Sequence, residues 1–353
     1  MLPPPGQRTP PMRHKILHSL FSIAVLLLCG ASALAQGSGS PTLDAVRARG
    51  QLLCGTGGEI PGFSMLDSNG VMRGIDADYC RAIAAAVLGD ANKVKWVSVT
   101  AQTRFTALQS GEIDVLVRNT GWSLTREASL GLLFAGVNFW DGTSIIVKTA
   151  SGVKSVKQLG GATICVLPGT TTELDLADWA RSEGISYTPV LIGSLSEIRQ
   201  AFLSGRCDGY TTDSSQVAGF RFMQGAKATE LTILPEPIGL GPSGAMVRKG
   251  DDKWYDIVRW THFATLVAES LGVTSKNVDS FADTKIPDIR RLLGQESNLG
   301  SQMGLDNAWA ANIIRQVGNY GELWERDITP LGLDRGKNAL WTKGGLQYAP
   351  QLR

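Results

Sequence analysis

The sequence predicts an α/β protein built from two similar lobes, and three observations carry that prediction. Strand and helix patterns alternate along most of the chain, which argues for parallel or mixed sheets covered on both faces. Residues 105–119 (FTALQSGEIDVLVRN) are echoed by residues 198–213 (IRQAFLSGRCDGYTTD), with Gly111 aligned to Gly205 and Asp114 to Asp208. The 353 residues also exceed what one hydrophobic core usually serves.

The first 35 residues read as a cleaved export signal. Arg13 and Lys15 are followed by an apolar run at 16–28 and the small-residue cleavage pattern Ala33-Leu34-Ala35. That run is too short to span a bilayer, and no later stretch approaches the roughly 20 apolar residues of a membrane helix. Met12 is a second candidate start, which changes nothing functional. Leu28 is bulky where a lipid-acceptor cysteine wants a small neighbour, so Cys29 is not expected to carry lipid. Cleavage would remove Arg8, Arg13 and Lys15 and no acidic residue, leaving 31 basic residues against 32 acidic ones. That balance points to neither nucleic acid nor an anionic membrane.

Four cysteines remain: Cys54, Cys80, Cys165 and Cys207. An even count in an oxidising compartment favours disulfides, and four cysteines allow three pairings. Pairing Cys54 with Cys80 and Cys165 with Cys207 keeps each bridge inside one lobe and leaves the lobes free to move. No two cysteines are close in sequence and His262 is the one histidine left, so no zinc site and no cofactor is expected.

Residues 36–41 form a Gly/Ser-rich tether, and a short helix at 43–49 precedes a strand at 52–54. In DADYCRAIAAAVLG, Cys80, Ile83, Ala84 and Val87 recur at helical spacing and Gly89 ends the helix. A strand at 94–99, a helix at 103–109 and a strand at 113–117 follow. Beyond Gly250 the pattern turns helical at 253–271 and 308–317, too much chain for a linker. The tail is expected to complete the first lobe. The domain plan is therefore 42–147 and 246–353 for lobe 1 and 148–245 for lobe 2, with paired crossings near Lys148 and Ala245 acting as a hinge.

In both copies of the echo, a polar residue stands five positions past the shared aspartate, at the strand's C-terminal end: Asn119 and Asp213. Ligands bind outside such strand ends in open α/β sheets. A zwitterion needs partners of both signs, because burying either charge alone costs several kcal/mol. Arg126, in RNTGWSLTRE, offers a planar fork to a carboxylate. The segment PGTTTELDLADWA places Thr170 three residues before Glu173 at a helix start, where free N–H groups and the hydroxyls of Thr170 and Thr171 form an anion cradle. Asp213 supplies the counter-charge for an ammonium. The glycine-rich stretch 55–70 is flexible enough to wrap a ligand, with Phe63 as a floor, and Trp122 is placed to wall the side-chain pocket. No GxGxxG opens the following helix. His262 sits on an amphipathic helix beside Phe263, a packing position, and no GxSxG elbow is present.

These segments, with the tail motifs GLDNAWAANIIRQVGNYGELWERD and ALWTKGGLQYAP, resemble the periplasmic general L-amino-acid-binding proteins of polar amino-acid ABC importers, a long-tailed branch of the family 3 solute-binding proteins. The resemblance covers nearly all of the mature chain. It implies a type II periplasmic-binding-protein fold, α/β with mixed sheets and a two-stranded hinge, and closure around the ligand. It also implies an L-amino acid ligand, a membrane permease as partner, no enzymatic activity, a monomer and a periplasmic location. The family's carboxylate-binding arginine falls on Arg126, its cradle on Thr170 and Thr171, and its ammonium-binding aspartate on Asp213. Many relatives have threonine where this chain has Gly121, so a hydroxyl contact is missing or replaced there. The segment IGLGPSGAMVRKGD is longer than usual near the second crossing. Two rivals are a periplasmic enzyme on the same fold, of the cyclohexadienyl dehydratase type, and a ligand-sensing module.

Overall fold

The computed structural model describes residues 38–353, together with Met1 and Gly6. The expected export signal at 1–35 falls, apart from those two residues, outside the described residues.

Strand β1 (Leu52–Thr56) is followed by a small antiparallel sheet of β2 (Glu59–Ile60), β3 (Ser64–Leu66) and β4 (Met72–Arg73). Strands β5 (Val94–Ser98) and β6 (Val115–Leu116) flank β1 in parallel, and β7 (Leu132–Phe134) stands at the far edge of the same sheet. Strand β8 (Phe139–Lys148) begins the second sheet, in which β9 (Thr163–Val166) lies in parallel between β10 (Thr188–Leu191) and β11 (Gly209–Asp213). Antiparallel partners of β8 are β11, β12 (Leu231–Ile233) and β13 (Gly239–Ser243). Strand β14 (Met246–Arg248) then returns to the first sheet, antiparallel to β6 and β7.

The internal echo is structural. The helices Arg104–Ser110 and Leu195–Leu203 each turn through a left-handed glycine, Gly111 at φ 81° and Gly205 at φ 86°, before β6 and β11. The shared aspartates then do the same work in both copies. Asp114 accepts the Leu53 N–H at 2.7 Å near the start of β1, and Asp208 accepts the Thr163 N–H at 2.8 Å at the start of β9.

Strand pairing corrects the first crossing. The chain leaves the first sheet after Phe134 and enters the second at Phe139, so it crosses at 135–138 instead of near Lys148. Lys148 is the far end of a ten-residue strand whose partners all lie in the second sheet. The return crossing runs at 244–245 alongside the first. Ala135 N–H donates to Ala245 O at 2.9 Å and Asn138 N–H to Ser243 O at 3.0 Å. Gly244 permits the approach, since a Cβ there would stand 2.1 Å from Gly136 O.

The helix Asp252–Ser270 packs on Ile75–Leu88, and the helices Trp309–Gln316 and Tyr320–Asp327 pack on both, so the tail completes the first lobe's core. It also reaches the crossing. Tyr320 OH donates to Asn138 O at 2.9 Å, the Asn338 amide brackets Trp140 (its Oδ1 2.7 Å from the N–H, its Nδ2 2.8 Å from the carbonyl), and Trp324 stacks on Phe139 at 5.4 Å. Disulfides join Cys54 to Cys80 and Cys165 to Cys207. Among the described residues no helix is long and apolar enough to cross a membrane, and no group of three or more His, Cys, Asp or Glu side chains is placed to hold a metal.

Candidate functional site

Asn119, just beyond the C-terminal end of β6, and Asp213, at the C-terminal end of β11, meet over a small cavity also lined by Gly121, Arg126, Thr170 and Thr171. Six residues chosen from the sequence are thus brought together. A larger space opens beside it, near Gly57, Glu59 and Leu195. Arg126 and Asp213, one from each lobe, both line the smaller one, which marks it as the candidate site.

Ser123 caps the short helix Leu124–Ser129 by accepting the Arg126 N–H at 3.3 Å, which fixes Arg126 in the first turn. Its side chain is buried. Nη1 donates to Gly121 O at 2.7 Å, and Nη2 reaches from the first lobe to Gly169 O of the second at 3.2 Å. The guanidinium lies over the Phe105 ring at 5.2 Å. Burial lowers its pKa to about 10, with Asp213 opposing that shift and Arg118 adding to it. Arg126 therefore stays cationic at neutral pH.

Thr170 is the N-cap of the helix Thr171–Glu183, accepting the Glu173 N–H at 3.2 Å and donating to Leu167 O at 2.7 Å. Glu173 in turn accepts the Gly169 N–H at 2.8 Å. The Thr170 hydroxyl is thereby committed to holding the helix start, and Thr171 is the hydroxyl that faces the first lobe. A Cβ on Gly121 would stand 2.6 Å from Thr171 Oγ1 and 3.1 Å from its Cγ2. The space that a threonine would fill at position 121 is taken instead by a threonine from the opposite lobe. Replacing Gly121 by threonine should therefore hinder closure by roughly 1–3 kcal/mol, as overpacking does. Weaker ligand affinity and a larger radius of gyration in saturating ligand, by titration calorimetry and small-angle scattering, are the expected readouts.

Asp213 precedes the helix Ser214–Met223 but makes no side-chain capping bond; its carboxylate takes the Gln216 Nε2 at 2.6 Å and faces the cavity. Burial raises its pKa, and neighbouring Asp141 raises it further, against the pull of Gln216, Arg104 and Arg126. Asp141, held by Ser215 and the Gly142 N–H, is itself pushed up by burial. Asn119 adopts φ 39°, a left-handed conformation that asparagine tolerates better than most residues. Its N–H donates to Asp76 at 2.8 Å and its Nδ2 lies 3.5 Å from Ser215 Oγ across the cleft.

Two expected residues belong elsewhere. Phe63 is fully buried, edge-on to Phe139 at 4.9 Å, because the chain doubles back so tightly that a Cβ on Gly74 would sit 2.3 Å from the Phe63 backbone. It is core, not a pocket floor. Trp122 donates Nε1 to Glu127 at 2.6 Å and stacks on Phe134 at 5.0 Å, lining a separate cavity beside His262. His262 is buried against Gln347, and burial drops its pKa to about 4, which keeps it neutral. Arg104 and Arg118, which also line the site, went unnoticed in the sequence, although both adjoin or lie within the echoed segment.

The chain belongs to the bacterial extracellular solute-binding proteins, family 3, whose model matches residues 52–270. It is 49% identical to the glutamate/glutamine/aspartate/asparagine-binding protein BztA of Rhodobacter capsulatus over 92% of this chain and 96% of that one. It is 47% identical to the general L-amino acid-binding periplasmic protein AapJ of Rhizobium johnstonii, over 97% of this chain and all of the relative. An ABC-transporter periplasmic binding protein from Brucella ovis, solved with glutathione bound, superposes with a TM-score of 0.86 at 48% identity, covering 88% of this chain and 99% of that one. The type II two-lobed α/β architecture expected from the sequence is the fold of this family.

Proposed function

We propose that the mature chain captures a free L-amino acid between its two lobes and delivers it to the membrane permease of an ABC importer. The observation that carries this reading is the facing of Arg126, from the first lobe, and Asp213, from the second, over one cavity. The ligand's carboxylate sits against Arg126 and the Thr171 hydroxyl, and its ammonium against Asp213. Closure is driven by the ligand, which adds its contacts with both lobes to the closed arrangement. Relatives named for amino-acid binding, one of them as a putative amino-acid ABC transporter-binding protein, are similar over nearly the whole chain and support binding over catalysis and uptake over sensing. The protein works as a monomer in the periplasm after removal of residues 1–35.

Thermal melts against the twenty amino acids test the reading. A ligand at about 100 times its Kd adds about 2.7 kcal/mol to stability and should raise Tm by roughly 5 °C. A blank panel would refute it, as would unimpaired amino-acid uptake in a deletion strain. Affinity should also depend on pH with a definite sign. The raised pKa of Asp213 means that binding an ammonium expels a proton. Binding should tighten as pH rises through the range where Asp213 ionises. Calorimetry in buffers of different ionisation enthalpy would register the released proton.

A further inference from the structure

We propose that Asp141 is the positioning residue of the ammonium site: it caps the helix Ser214–Met223 from the neighbouring strand, in place of Asp213, and so leaves the Asp213 carboxylate free for the ligand. This inference rests on the amino-acid-binding reading above, and it gives a role to a residue that does not itself line the cavity.

A helix start leaves backbone N–H groups without partners, and the N-cap side chain ordinarily accepts one of them. The other two α-helices of the second lobe follow that rule. Thr170 accepts the Glu173 N–H at 3.2 Å, and Ser194 accepts the Glu197 N–H at 3.4 Å. Asp213 stands at the same place with an extended backbone, φ −56° and ψ 144°, and is of a residue type well suited to the task. It makes no such bond.

Strand register accounts for the exception. β8 and β11 run antiparallel with Asp213 opposite Thr143, so the chain beyond Asp213 turns into its helix beside Asp141. The Asp141 carboxylate accepts the Ser215 N–H at 3.2 Å, the Ser215 hydroxyl, and the Gly142 N–H at 2.9 Å. Ser215 is 1% exposed, and leaving its N–H unpaired there costs more than the bond itself contributes. Trp140, one residue back, is held at both of its backbone groups by Asn338, so Asp141 stands on a fixed strand. With the helix start served, the Asp213 carboxylate turns to Gln216 Nε2 and the cavity. Without Asp141, Asp213 is the carboxylate left at the helix start. It then caps its own helix, and the ligand loses its counter-charge.

Titration calorimetry of the mature protein with L-glutamate and L-glutamine, paired with thermal melts of the ligand-free protein, tests this. Asp141→Ala should lower affinity for both by at least about tenfold while moving the ligand-free Tm by less than about 3 °C, because Asp213 takes over the cap. Asp141→Asn, whose amide oxygen still accepts the Ser215 N–H, should recover most of that affinity. Its binding should also tighten at lower pH than that of the unmutated protein. The groups facing Asp213 are Asp141 on β8, Tyr210 on β11, kept neutral by burial, and Arg104, Arg118 and Arg126 from the first lobe. Neutralising Asp141 removes the negative member of that set, so Asp213 ionises at lower pH.

Unchanged affinity in a folded Asp141→Ala protein overturns the inference whatever its Tm, since Asp141 then serves the fold alone. A loss in Asp141→Asn as large as in Asp141→Ala also overturns it, because the charge and not the cap then matters. Should Asp141→Ala fail to fold, Asp141→Asn decides: a pH dependence of binding displaced downwards supports the inference, and an undisplaced one overturns it. Amino-acid capture stands in all of these cases. An unmutated protein that binds none of the twenty amino acids would remove that function, and this inference with it.

Discussion

Arg126→Ala is expected to weaken ligand binding by at least about 30-fold. Truncating one member of a buried charge pair costs roughly 2–5 kcal/mol, and every 1.4 kcal/mol is a factor of ten. The loss has two parts. The ligand carboxylate loses its fork, and the carbonyls of Gly121 and Gly169 lose their donors, the second of which links the two lobes. Arg126→Lys should fall between, because a point charge cannot serve two carbonyls and a carboxylate with a planar fork. The ligand-free protein should melt within a few degrees of the unmutated one, since removing Arg126 also relieves repulsion on Arg104. Unchanged affinity in titration calorimetry would take Arg126 out of the site.

Trp324→Ala should cost about 3–5 kcal/mol in urea unfolding, the range for emptying a fully buried tryptophan. The indole is 1% exposed, stacks on Phe139 at 5.4 Å, and carries the Arg335 guanidinium 5.7 Å from its ring. It comes from the tail, outside the family-matched residues 52–270, yet its partner is the first residue of β8, at the crossing between sheets. A loss that large would mark the tail as part of the core. Trp341→Ala, at a position 39% exposed, is the control and should cost under about 1 kcal/mol. A loss at Trp324 no larger than that would mean the cavity collapses freely and the tail is dispensable for folding.

The two-lobe plan was legible because it is written twice. The glycine-to-aspartate spacing of 111–114 and 205–208 encodes the same helix, left-handed turn and strand start in each copy, and the polar residue beyond marks the strand end where ligands sit. The helix around Cys80 was legible from its apolar period. The first crossing was not, because nothing in residues 139–148 (FWDGTSIIVK) marks locally which sheet the strand joins. Phe63 misled for a related reason. Glycines at 55, 57, 58, 62 and 70 suggest an open flap, whereas Gly74 is there to let the backbone press against Phe63 and bury it. Trp122 neighbours Arg126 in sequence, but Glu127 takes its N–H and turns it away from the cleft. Arg104 and Arg118 look like ordinary solvated cations at a helix start and a strand end, and only the fold shows them buried together.

The two disulfides cross-link β1 to the helix that follows the small sheet, and β9 to the turn ahead of β11; neither straddles residues 135–138 or 244–245. Oxidation thus restricts the unfolded chain within each half and adds no stiffness between them. A molecule made in a reducing cytoplasm would lose two independent reinforcements, one per shell of the clam, while its ability to shut would be unimpaired.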